Sequence, residues 1–84
     1  MSFQLDYTRR AIKDIQKLEQ KVKTRIGKDL LRLAVNPLGY AKTLTNSSLG
    51  SYRFRIGDYR VIFDLVGEDI VVLRVGHRKE IYRG

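Results

Sequence analysis

Phe3, Leu5 and Tyr7 alternate with Gln4 and Asp6, the period of two that turns one face of a short strand into a core. A first strand is predicted over residues 2–6. At Thr8 the period changes: Ala11, Ile15, Leu18, Val22, Ile26, Leu30 and Leu33 follow in steps of three and four, with Lys and Arg on much of the other face. That is an amphipathic helical pattern, with Thr8 as its N-cap. A single helix over 8–34 would be roughly 40 Å long at 1.5 Å per residue, but a compact chain of this length is only about 30 Å across. A helical hairpin bent near Glu19-Gln20-Lys21 is therefore predicted. It ends at Asn36-Pro37, because proline disfavours helical geometry in the residue before it.

Residues 36–50, with Gly39, Asn46, Ser47, Ser48 and Gly50, read as a connecting loop. Beyond it, Ser51–Ile56, Tyr59–Val66 and Ile70–Val75 are rich in aromatic and β-branched residues and are separated by Gly57-Asp58 and Gly67-Glu68-Asp69. A three-stranded antiparallel meander follows. A two-residue loop at Gly57-Asp58 sets Ile56 opposite Tyr59, Phe54 opposite Val61, Tyr52 opposite Phe63 and Arg55 opposite Arg60. One face of this hairpin is then apolar and receives the helices, while the other carries Arg53, Arg55 and Arg60.

Composition narrows the chemistry. At 84 residues there is one core, so residues 1–84 form a single domain. A domain this small buries only about 60% of its unfolded surface, and a partner covering apolar surface would stabilise it. Without cysteine there is no disulfide, thiolate site or Cys nucleophile, and His77 is the only histidine, so neither a metal nor a cofactor is expected. Neither a basic segment with an apolar run at the start nor a stretch of roughly 20 apolar residues occurs, which predicts a cytoplasmic protein without membrane association. The net charge of +8, with 17 Lys and Arg against 9 Asp and Glu, points to a polyanionic partner.

Placement sharpens that reading. Like charges facing each other across strands oppose pairing, so Arg55 beside Arg60, with Arg53 one pleat away, is expected to be a phosphate site rather than a stabilising pair. On this basis Arg60→Ala is expected to leave the fold intact or slightly more stable. Arg suits phosphate because its planar fork makes bidentate, charge-assisted bonds. After the last strand come His77, Arg78, Lys79, Tyr82 and Arg83, which the meander is expected to bring beside the same face. His exchanges protons near neutral pH, Arg stabilises a phosphorane and an aromatic ring stacks on an unpaired base.

The order strand, helical hairpin, Asn-Pro loop, then Tyr52-Arg53-Phe54-Arg55-Ile56-Gly57-Asp58-Tyr59-Arg60-Val61-Ile62-Phe63 and Gly76-His77-Arg78-Lys79-Glu80-Ile81-Tyr82 resembles the RelE/ParE toxin superfamily. The resemblance spans essentially the whole chain. It implies an α+β, β-α-α-β-β-β fold of the RelE-like microbial RNase type, with the N-terminal strand and helical hairpin packed on an antiparallel sheet. It also implies a type II toxin, held by a small cognate antitoxin, that enters the ribosomal A site and cleaves mRNA without a metal, by attack of the RNA 2′-hydroxyl on the adjacent phosphate.

By position, Arg60, Arg78 and Tyr82 match the family's catalytic arginines and C-terminal tyrosine. Arg53 and Arg55 stand where RelE usually has lysines. Phosphate stabilisation is assigned to Arg55, Arg60 and Arg78, orientation or proton transfer to Tyr82, and an acid or base role to His77; Arg53, Lys79 and Arg83 add phosphate-binding charge. Because arginine does not give up its proton, the general base must be another group. Some relatives continue past the tyrosine as a C-terminal helix, whereas this chain stops at Gly84. Two alternatives are a ParE-like DNA gyrase inhibitor, which resembles this chain in fold but lacks the RelE catalytic set, against which Arg60, Arg78 and Tyr82 together argue, and a non-catalytic basic RNA- or ribosome-binding protein.

Overall fold

The switch from strand to helix occurs at Thr8, as the change of period predicts. In the computed structural model, which describes residues 2–44 and 49–81, strand β1 (Gln4–Tyr7) leads into helix α1 (Arg9–Gln16). The Thr8 hydroxyl caps α1 by accepting from the Ala11 N–H at 3.1 Å. Helix α2 (Gln20–Val35) follows after a break at residues 17–19, about half a turn before the predicted bend centre. At the break, Lys17 and Leu18 donate to the carbonyls of Asp14 and Ile15, tightening the last turn of α1.

The predicted loop carries structure of its own. Pro37–Tyr40 forms a short helix, α3, and Lys42–Thr43 a short strand, β2. Pro37 opens α3 with its φ already suited to a helix. Asn36 caps it by accepting from the Gly39 N–H at 3.2 Å. A Cβ at Gly39 would fall 2.2 Å from Asn36 Nδ2, so the cap requires glycine there. The Asn46-Ser47-Ser48 part of the predicted loop lies outside the described residues.

The meander forms as predicted, as β3 (Tyr52–Ile56), β4 (Tyr59–Val66) and β5 (Asp69–His77), followed by one helical turn, α4 (Arg78–Ile81). All four cross-strand pairs expected around Gly57-Asp58 are present, including Arg55 opposite Arg60. Gly57 sits at φ +59°, a left-handed conformation that glycine adopts without steric cost. The sheet order is β1-β5-β4-β3-β2. β1 begins at Gln4 rather than residue 2 and joins the sheet as a parallel edge strand on β5, an addition to the expected antiparallel sheet.

The helices cover one face. Ala11, Ile26, Leu30 and Leu33 meet Phe54, Ile56, Val61, Phe63, Ile70, Val72 and Val75 in a single core. The Cα radius of gyration, 11.7 Å, rules out the unbroken rod. β1 pairs with β5 only as far as Val72, and α1 takes over the rest of that edge. The Thr8 N–H and hydroxyl donate to the carbonyls of Val72 and Leu73, and Asp14 Oδ2 accepts from the Val75 N–H at 3.0 Å and from Arg74 Nε at 2.8 Å.

One irregularity redirects the end of the sheet. Phe63 pairs with Val72 and Ile62 with Arg74, so Leu73 has no partner and β5 bulges. An extra residue exchanges the two faces of everything beyond it. Val75 and His77 therefore point with Val61 and Tyr59 toward the helices, and Gly76 lies beside Arg60 on the opposite face.

Candidate nucleic-acid interface

The face away from the helices is covered at one end. Gly50 packs so close that a Cβ would lie 2.7 Å from Ile62 and 2.8 Å from Leu73. The neighbouring Ser51 N–H donates to Asp64 Oδ1 at 2.8 Å. Below this cover the face stays open as a cleft of about 210 Å³ lined by Tyr40, Lys42, Arg53, Arg55 and Arg60. Four of the five lining side chains are cationic and none is acidic. Two strand pairings create this density: Lys42 opposite Arg53 and Arg55 opposite Arg60.

The arginines are not equivalent. Arg55 is exposed and Arg53 partly so. Arg60 is only 5% exposed, and its Nη1 donates to the carbonyls of Gly57 at 2.8 Å and Tyr59 at 2.9 Å. The turn between β3 and β4 thus fixes the Arg60 guanidinium as part of the fold. This corrects the expectation that Arg60→Ala would leave stability unchanged or raised, because the substitution removes a donor from two carbonyls.

The C-terminal residues divide. Arg78 is tied to the same turn, its N–H donating to the Asp58 carbonyl at 2.7 Å and its Nε lying 3.6 Å from the Asp58 carboxylate. Lys79 is exposed on α4, and neither it nor Arg78 lines the cleft. His77 does not converge with the arginines. The bulge turns it to the helix face, where it meets Tyr59 edge-on with ring centroids 5.6 Å apart. Its Nδ1 accepts from the Lys79 N–H at 3.1 Å, so the neutral ring carries its proton on Nε2. Around it lies a second cleft of mixed charge, with Arg10, Asp14, Lys17, Arg74 and Glu80. Tyr82 and Arg83 lie outside the described residues; the last described residue, Ile81, is buried against Gly76, the neighbour of Arg60 in the sheet.

Tyr40 and Lys42 were not legible as site residues. They fall in a segment whose composition reads as loop, and two paired residues are too few to show a strand period. Among the described residues, no group of three His, Asp or Glu side chains is placed to hold a metal ion. No described helix is long and apolar enough to cross a membrane.

Residues 5–82 match the family described as the ParE toxin of the type II toxin–antitoxin system parDE. Toxin RelG of Mycobacterium tuberculosis is 32% identical over an 89-residue alignment covering 99% of each chain. Among solved structures, the toxin–antitoxin complex RelBE2 from M. tuberculosis contains a similar chain with a TM-score of 0.85 and 26% identity, covering 93% of this chain and 100% of that one. The isolated Escherichia coli RelE toxin is similar with a TM-score of 0.76 and 26% identity, covering 96% of this chain and 92% of that one.

Proposed function

This chain belongs to the RelE/ParE family of toxins of type II toxin–antitoxin systems, and from that premise we propose that it is a ribosome-dependent endoribonuclease that cuts mRNA in the A site. The observation that carries this reading is the cleft of Lys42, Arg53, Arg55 and Arg60, which has no acidic lining residue and opens on the sheet face away from the helices.

The reaction makes a bond from the ribose 2′-oxygen to the adjacent phosphorus and breaks the bond from phosphorus to the 5′-oxygen. A proton leaves the 2′-hydroxyl, a proton reaches the leaving 5′-oxygen, and the product is a cyclic phosphate. Arg55 and Arg53 hold the phosphate from the open side. Arg60 supports it from below, using the Nη2 and Nε donors that remain once Nη1 is bound to the turn. Fixed cations aimed at the developing charge need no rearrangement at the moment of reaction. Arg78, held on the same turn, adds charge from the C-terminal side, with Lys79 and Arg83 contributing attraction at longer range. Lys42 adds a further cation to the phosphate site, and since arginine keeps its proton, proton transfer falls to Tyr82, which follows the buried Ile81. His77 is left out, because it faces the other side of the sheet.

A cognate antitoxin is the proposed protein partner, supported by the solved relative held in a toxin–antitoxin complex. Action in the cytoplasm, on ribosomes, follows from the same reading. Primer extension on mRNA from a purified translation system tests it: the wild-type toxin should produce new ends inside A-site codons, and Arg78→Ala and Tyr82→Phe should weaken them. Intact mRNA under active translation would refute it. The name of the matched family favours a second reading, ParE-like poisoning of DNA gyrase. That reading predicts inhibited supercoiling and uncut mRNA.

A further inference from the structure

Tyr40 is unexplained by phosphate chemistry. It is a large ring, 47% exposed, at the rim of a cleft whose other lining groups are all cations. The fold holds it there with some care. Pro37 starts α3, Asn36 caps it through Gly39, and the Tyr40 ring meets Phe54 edge-on with centroids 6.4 Å apart. From α2, the Arg32 guanidinium lies 5.4 Å from the ring centroid over one face. Arg32 lies over one face and Phe54 packs against the ring at an interplanar angle of 61°, yet Tyr40 stays 47% exposed and lines the cleft. β2 stops pairing with β3 at Arg53, leaving room beside Phe54 for this arrangement.

We propose that Tyr40, backed by Arg32, is a stacking platform for one unpaired base of the RNA whose phosphate lies in the cleft. An aromatic face next to a row of cations is the combination that binds single-stranded nucleic acid, the cations tracking the backbone and the ring taking a base. A cation over the far face is compatible with stacking on the near one, because the ring attracts the guanidinium through its negative face. An apolar protein segment is the less fitting occupant, since Tyr40 lines the cleft together with four cations, and an acidic one offers no planar base to stack on the ring. This inference rests on the nuclease reading for its substrate class and adds to it a subsite that selects an unstacked nucleotide.

The test uses the full-length toxin and a short single-stranded RNA protected from cutting by 2′-O-methylation, together with versions lacking one base at a time. Binding is followed by fluorescence anisotropy. Tyr40→Ala and Tyr40→Leu should weaken binding roughly 5- to 150-fold, the range for loss of one base–aromatic stack. Tyr40→Phe should bind like the wild type. At one position, removing the base should abolish the difference between wild type and Tyr40→Ala. Thermal melts of the variants separate this loss from misfolding, and Tyr40→Leu retains apolar contact with Phe54. Losses that remain equal with every base-deleted RNA, or a wild-type toxin that does not bind the RNA, overturn the platform. So does a Tyr40→Ala variant that binds RNA normally but escapes its antitoxin. Base-dependent coupling without cleavage on ribosomes would retain the platform and remove the nuclease reading, while cleavage without coupling would remove the platform alone.

Discussion

Arg55 and Arg60 are the same residue type facing each other across two strands, and they are expected to respond oppositely to removal. Arg55 is exposed, so Arg55→Ala relieves like-charge repulsion and should leave urea stability within about 0.5 kcal/mol of the wild type or slightly raise it. Its cleavage rate should fall about 100-fold, the loss typical of one donor to a developing charge. Arg60 is 5% exposed and holds the carbonyls of Gly57 and Tyr59, so Arg60→Ala should cost about 1–3 kcal/mol of stability in addition to its effect on cleavage. An Arg60→Ala protein as stable as the wild type would show that the turn does not depend on this guanidinium. The two burials were not legible in sequence, since both arginines occupy equivalent polar positions of the same pattern.

At the level of elements, the junction of β1, α1 and β5 decides where the site can be. β1 is too short to pair with all of β5, and Asp14 closes the remainder by accepting from the Val75 N–H and Arg74 Nε. Its side chain is 11% exposed, so Asp14→Ala leaves a strand edge and a guanidinium without their acceptor and should cost ~2 kcal/mol in urea unfolding. Hydrogen exchange at Val75 should accelerate in that variant. An unchanged Val75 amide would mean that the edge is closed by other contacts. The bulge at Leu73 belongs to the same junction. In Ile70-Val71-Val72-Leu73-Arg74-Val75 nearly every residue is apolar, so the sequence carries no parity signal to show which residue is extra. The predicted convergence of His77 with the arginines failed for that reason alone.

For the whole molecule, the +8 charge includes four cations gathered in one cleft without an acidic lining residue. If Lys42, Arg53, Arg55 and Arg60 all contact phosphate, the logarithm of RNA affinity should fall with the logarithm of salt concentration at a slope of about −3, from roughly −0.7 per contact on a single strand. Arg55→Ala should reduce the slope to about −2, whereas an unaltered slope would place Arg55 outside the phosphate track. Opposite this face, between α1 and α2, Tyr7, Ile12, Ile15, Ile26 and Leu30 line an apolar groove. The two surfaces separate because the sheet divides them, with the helices on one side and the cations on the other.

Most of the architecture follows from periodicity. The helical stripe from Ala11 to Leu33, the Thr8 cap and the register around Gly57-Asp58 are local rules, written in residues that are near neighbours in sequence or meet across one tight turn. The row of arginines follows from the same register and was legible for the same reason. Other features depended on contacts between residues distant in sequence. The parallel pairing of β1 with β5 joins the two ends of the chain, and nothing within either strand specifies the other. Arg60's burial, His77's turn to the helix face, and the arrival of Tyr40 and Lys42 at the cleft depend on a carbonyl geometry, a bulge and a two-residue strand. Each of these is set by packing against neighbours that only the folded chain brings together.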